Sequence, residues 1–464
     1  TAYEGLHMMS EPDSKPAHPV TQGVPGIVPV SRRQATAWLL AGAAGVAMAP
    51  RILRAQPATS PAKPAGTGAV PVQPATPVPS FLDNCLTVAR GKTKNRTLRA
   101  NLMIRAYQED YNRRTKNDKR PLSDTTLDFA TAAIVFPVLY GTATSKTDIE
   151  NVKGVVKYDN RIVDATPEYN DTYPCGTRLA KWTMLNQKGG KQVSIEVDIP
   201  MTCNETVFDE RAAAQAVWPK KWGKIGQSTF TNQMFVDYKS AEVSQVVSGW
   251  TSGKDPKTIP PLQLAKYLAS KCVETFQFSG SGEQYSKSYE LEGLEVKKAS
   301  RTVVEKRGTE HDIAAATCAI FLAAGLPARL VIGWDESDTK SGDRTAFERT
   351  RGTGEIRSWI EFCLYDEAAD KELWVPFDPV RQRKKSSRPA PVEKAWEYFG
   401  NFSKGEFVMP FAFQFHPPTT VIEYGSLAFW GWLTTPKIPA ATQYLRLSSE
   451  STPNRGGGRP TRGR

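Results

Sequence analysis

The chain has 464 residues, 40% of them hydrophobic and 23% charged. That is enough to bury a sizeable core in two or three domains, and it is not the composition of a disordered or fibrous chain. Six cysteines exclude a disulfide scaffold, four histidines (His7, His18, His311, His416) leave little for an imidazole-built metal centre, and a net charge of +12 names no partner by itself.

Residues 1–30 precede a twin-arginine pair, Arg32 and Arg33, which is followed by an apolar run of small residues from Trp38 to Ala49. The run is too short to span a bilayer, which takes roughly 20 residues. Residues 31–56 therefore read as a twin-arginine export signal, although Ala35 and Thr36 stand where bulkier apolar residues are usual. The expected location is the periplasm or cell envelope of a bacterium, with no transmembrane span in the mature chain. Residues 57–80 hold seven prolines and form an extended spacer.

Residues 81–140 are predicted to be a basic helical segment, because Leu98, Leu102, Ala106 and Tyr107 share one face at helical spacing. The stretch 86–120 carries eleven Lys and Arg against three acids. It reads as a solvated face, or as a salt-sensitive attachment to an anionic polymer. Residues 141–238 switch to a period of two and predict a β-rich domain. Val193, Ile195, Val197 and Ile199 alternate with Ser194, Glu196 and Asp198, and 153–158 and 233–238 look similar. Cys175 and Cys203 flank the clearest strands. An oxidising envelope would permit a bridge between them, but spacing does not give the pairing. Residues 259–277 return to helix, opened by Pro260 and Pro261, with Leu264, Leu268, Cys272 and Phe276 every four residues.

Residues 301–380 are the most informative. Thr309 and Asp312 form a capping-box pattern. Ile313–Ala324 is apolar nearly all round, so the helix should be buried, and Gly325 ends it. Leu330–Trp334 is a short apolar strand. A polar loop, 335–355, separates it from a second strand, Arg357–Tyr365, and Leu373–Asp378 is a third.

A buried helix feeding a short antiparallel sheet, with Gly325-Leu-Pro-Ala-Arg329, Gly333-Trp334, Trp359-Ile-Glu361, Trp374 and Phe377-Asp378-Pro379, resembles the transglutaminase-like superfamily. The resemblance implies an α+β fold. Residues 239–380 would form a papain-like transglutaminase core, preceded by the β-rich domain. It also implies a Cys–His–Asp site in which a helix N-terminus and the His activate the thiol. Fifteen residues before Gly325, the position of the family's Cys holds Glu310. Two residues before Trp359, the position of its His holds Arg357; Asp378 is retained. Glutamate is no acyl-transfer nucleophile at an amide, and arginine cannot act as a general base. The expected arrangement is a carboxylate–guanidinium–carboxylate ion-pair network. Trp334, Trp359 and Glu361 are the candidate binding residues.

No other residue restores the chemistry on sequence grounds. Cys318 and Cys363 read as packed hydrophobes, His311 as a surface or cap residue, and His416 as remote. A Glu310–Asp378 acid/base pair, as in glycoside hydrolysis, is disfavoured by the Arg between them. No cofactor and no metal are called for. Residues 381–448 form an aromatic-rich extension, read as strands packing on the core or as an aromatic platform. The tail 449–464, with four Arg in its last eleven residues, reads as disordered. Its RGG-like character does not make nucleic acid the expected partner of an exported protein. The leading expectation is a pseudoenzyme that binds or scaffolds a peptide, protein or glycan of the envelope. The alternative is an enzyme of the same superfamily acting on amide bonds through a rearranged site.

Overall fold

The computed structural model describes residues 79–451 apart from 107, 110–118, 121–125, 232, 286–290, 338–353, 390, 416–418, 422–425, 429–430 and 437–440. The export signal, most of the proline-rich spacer, His416 and the basic tail lie outside the described residues.

The first half is built of strands: β1 (Leu86–Ala106), β2 (Phe129–Pro137), β3 (Lys153–Tyr158), β4 (Leu179–Gln187) and β5 (Gln192–Phe208). After two short helical turns, Glu210–Ala213 and Lys224–Ser228, come the helices α1 (Ala241–Trp250), α2 (Pro261–Thr275), α3 (Ala299–Glu305) and α4 (Glu310–Ala323). Then come β6 (Ala328–Asp335), β7 (Glu355–Asp366), β8 (Lys371–Phe377), α5 (Pro379–Lys385), β9 (Val408–Phe413), β10 (Gly431–Thr435) and β11 (Ala441–Ser451). The fold is α+β.

The predicted helix over 81–140 is overturned. Its apolar residues do recur every four, but Ala100 and Ile104 fall between them. Leu98, Ala100, Leu102, Ile104 and Ala106 are all buried on one face of β1, a period of two. Spacing by four is common to both periodicities; the intervening residues decide. β1 runs antiparallel to β5, Leu98 facing Ile199 and Ile104 facing Val193, and antiparallel to β11 on its other side. Several basic side chains of β1 are engaged by neighbouring groups of the fold. Arg99 lies directly opposite Asp198 and bonds both its oxygens, at 2.7 and 3.1 Å. Arg96 pairs with Glu336, and the Lys94 ammonium stands 3.5 Å over the Phe407 ring.

A second sheet, with β2 between β10 and β4, packs on the first. Phe129 of β2 meets Tyr158 of β3 edge-on at 5.9 Å. Gly154 of β3 lies against the Trp182 indole of β4, where a Cβ would come within 2.5 Å of the ring. No strand forms over 233–238. Cys175 and Cys203 are separate buried thiols, so the envisaged bridge is absent.

The transglutaminase-like region forms its own four-stranded antiparallel sheet, ordered β8–β7–β6–β9. Helix α4 lies on it, buried from Glu310 to Leu322. The segment 381–448 is therefore not an extension. β9 is the fourth strand of this sheet, and β10 and β11 return to the two sheets of the β-rich half. Its aromatics are core: Trp396, Phe399, Phe402 and Phe411 are buried and ring-packed.

Gly154→Ala is expected to push the two β-rich sheets apart and cost about 1–3 kcal/mol. A lowered denaturant midpoint checks this, and an unchanged one would mean that the indole does not press on that backbone.

Candidate functional site

The site begins at the N-terminus of α4. The Thr309 hydroxyl accepts from the Asp312 amide at 3.2 Å, and the Asp312 carboxylate accepts from the Thr309 amide at 2.9 Å, completing the capping box. Asp312 also accepts from the Lys297 amide at 2.6 Å. Gly308 is required here, because a Cβ would lie 2.5 Å from that of Asp312.

Glu310 is the first residue of the helix and is only 5% exposed. Its Oε1 accepts from the backbone N–H of Ser358 at 3.0 Å. Burial, reinforced by the neighbouring Asp378 and Glu355 carboxylates, pushes its carboxyl up to about 8, so it is neutral at pH 7. The expected ion pair with Arg357 does not form, and the reason is the pleat. Arg357 and Ser358 point to opposite faces of β7, so a glutamate at the start of α4 meets the Ser358 backbone instead.

Arg357 turns to two aspartates. Its Nε donates to Asp378 Oδ2 at 2.8 Å and its Nη1 to Asp335 Oδ2 at 2.9 Å. Arg381 donates from Nη2 to the same Asp335 oxygen at 2.8 Å and to Glu355 Oε1 at 3.0 Å. Asp378 also caps α5, accepting from the Arg381 amide at 2.7 Å. Arg357, Asp335 and Asp378 are at most 2% exposed. The structure thus brings the three predicted positions, Glu310, Arg357 and Asp378, into one cluster, but as a clamp with a neutral acid beside it. Asp335 and Arg381 were missed in the sequence. Their signals were present: Asp335 follows Gly333-Trp334, and Arg381 falls three residues after Asp378, within the first turn of α5.

The predicted binding residues Trp334, Trp359 and Glu361 are buried in packing and ion-pair contacts. Trp359 is fully buried, 5.3 Å from the Phe402 ring, with Gly333 making room for it. Trp334 is also buried and donates to Glu336 Oε1 at 3.1 Å. Glu361 pairs with Arg329, whose Nε and Nη2 reach one carboxylate oxygen at 3.0 and 2.7 Å; the other oxygen accepts from the Ala143 amide at 2.8 Å. The Arg329 guanidinium lies over the rings of Phe413 and Trp374 at 3.8 and 4.0 Å. These residues tie the core sheet to the β-rich half.

His311 is not a surface residue. It is fully buried, its Nδ1 is 2.7 Å from Ser358 Oγ, and its Nε2 has no hydrogen-bond partner. Burial pulls its pKa down to about 4, so it is neutral. Cys318 and Cys363 are buried thiols whose pKa values burial holds well above the ordinary range. Neither offers a thiolate at neutral pH.

Two predictions follow from this geometry. Arg357→Met strands Asp378 as a buried charge and should cost about 3–5 kcal/mol, read as a fall in Tm; an unchanged Tm would remove the clamp from the fold's supports. The second concerns pH. The neutral form of Glu310 is favoured in the fold, so its contribution is complete below its ordinary value of 4.5 and is lost as pH rises through about 8. For His311 the sign is opposite: its contribution is complete above 6.5 and is lost as pH falls through about 4. Glu310→Gln keeps the acceptor for the Ser358 amide and cannot ionise. Its melting should match the unsubstituted protein in mild acid and exceed it at alkaline pH; parallel pH profiles would show that Glu310 does not titrate there.

No curated protein matches the sequence. Among solved structures, the chain is similar to a candidate cysteine protease from Cytophaga hutchinsonii, at 11% identity and a TM-score of 0.44, over 79% of this chain and 92% of that one. It is also similar to a candidate protease from Parabacteroides distasonis ATCC 8503, at 10% identity and a TM-score of 0.20, over 57% and 46% of the two chains. The sequence model of the transglutaminase-like superfamily matches residues 245–379, from within α1 to the start of α5. Those residues hold the buried helix, three strands of its sheet and the Glu310, Arg357 and Asp378 cluster, so the similarity to the transglutaminase-like superfamily spans the whole candidate site.

Proposed function

We propose that this is an exported envelope protein whose transglutaminase-like core no longer performs thiol acyl transfer and serves instead as a binding or scaffold unit for a peptide or glycan. One observation carries the loss of chemistry. The nucleophile's position holds a buried, neutral carboxyl bonded to a backbone amide, and the base's position holds a guanidinium locked between two aspartates. A guanidinium cannot accept a proton at any pH the protein survives. The burial of Trp359, Arg357 and Glu310 supports the same reading, since none of them is open to solvent. The twin-arginine pair and the proline-rich spacer support export.

The alternative, an amide-cleaving enzyme with a rearranged site, has one feature in its favour: the Ser358 hydroxyl lies 2.7 Å from His311. Both side chains are fully buried, however, and no amide can reach them in this arrangement. The deciding assay is amide hydrolysis and amine transfer on a mixed peptide pool, with Glu310→Gln and Ser358→Ala beside the unsubstituted protein. No turnover is expected from any of them. Turnover that disappears in either variant, with Tm retained, would establish an enzyme. Cell fractionation tests export: replacing Arg32 and Arg33 by Lys should leave the protein in the cytoplasm, and unchanged partition would remove the export reading.

A further inference from the structure

On the surface of the molecule, residues 217–225, Val-Trp-Pro-Lys-Lys-Trp-Gly-Lys-Ile, interleave four large apolar side chains with three lysines. Val217 is 73% exposed, as much as any large hydrophobic described, and Ile225 is 39% exposed. Trp218 and Trp222 are half-buried. Their rings meet edge-on at 6.0 Å, and Trp222 leans on Tyr365 at 6.5 Å, so the pair is held rigid from below. Trp218 donates its indole N–H to the Ile259 carbonyl at 2.7 Å.

The charges of this loop are arranged outward. Lys220, Lys221 and Lys224 are exposed, and none forms an ion pair among the described residues. The nearest acids are turned to the root of the loop: Glu367 accepts from the Lys220 amide at 3.1 Å, and Glu372 accepts from the Gly226 amide at 2.9 Å and the Trp374 indole at 3.2 Å. Lys257 adds a further exposed cation beside Trp218, both packing around Gly325.

We propose that the 217–225 loop docks this protein on an anionic lipid surface. Val217 and Ile225 enter the headgroup boundary, the two tryptophans sit at its level as amphipathic rings, and Lys220, Lys221 and Lys224 meet the lipid phosphates. The observations fit this occupant better than an acidic protein. Unpaired lysines alternate with exposed aliphatic residues and half-buried indoles in one short loop, which suits a medium that is charged outside and apolar a few ångströms in. The loop lies away from the Glu310, Arg357 and Asp378 cluster and uses none of its residues, so the proposal stands or falls separately from the reading of that cluster.

The test is sedimentation of the full chain with vesicles of phosphatidylcholine, with or without phosphatidylglycerol, at low and high salt. Binding is expected only to the phosphatidylglycerol vesicles, with loss at high salt. Replacing Lys220, Lys221 and Lys224 together by Gln should weaken it by roughly a hundredfold. Val217→Asp should weaken it without changing Tm, and tryptophan emission should shift to the blue on binding. A triple variant that binds the same vesicles as tightly as the unsubstituted protein would overturn the proposal, because other basic segments would then carry the attachment. So would binding that is equal on neutral vesicles, or capture by an acidic polypeptide with no vesicle binding.

Discussion

The burial of the Arg357 guanidinium constrains everything around it. A guanidinium cannot shed its proton, so sequestering it requires carboxylate partners. Asp335 and Asp378 supply them, one from the end of β6 and one from the start of α5. Arg381 and Glu355 extend the chain of charges toward the surface. Two arginines already face three carboxylates, and a fourth negative charge beside them would be unbalanced. Burial first, and the Asp378 and Glu355 carboxylates second, raise the pKa of Glu310, pressed into the same region. One obligatory cation thus joins β6, β7 and α5 at a single point.

The frame of the superfamily survives this change because the frame does not depend on the chemistry. A capped, wholly buried helix on an antiparallel sheet is specified by the capping box, by the small residues of α4, and by the Arg329–Glu361 pair that crosses to the β-rich half. Those features do not involve a thiol or an imidazole. The site itself holds an ion-pair clamp and a backbone-bonded carboxyl. The β-rich half is bound into the same unit, because β9 completes the core sheet while β10 and β11 return to the sheets formed by β2 and β1.

Much of the core was legible in the chain itself. The helix from Glu310 to Ala323 was readable from Thr309, Asp312 and Gly325, since caps act locally. Strands β6, β7 and β8 were readable too, β6 as a short apolar run and β7 from alternation. The reading failed at β1, where Leu98, Leu102 and Ala106 satisfy both the helical and the strand period. At the C-terminal segment it gave strands packing on the core but not their partners, which for β10 and β11 lie several hundred residues away. Spacing along the chain says nothing about such partners.

Motif spacing by itself pointed to Glu310, Arg357 and Asp378 as one site, and the fold does bring these three residues together. Only the tertiary structure decided what they do there. Arg357 takes its two partners from Asp335 and Asp378 because the pleat of β7 turns its side chain away from α4, and Glu310 therefore meets an amide. His311, which reads as a cap or surface residue, is enclosed because α4 is covered on every side. Pairing, burial and protonation all depend on which faces the packed elements present to one another, and that information exists only in three dimensions.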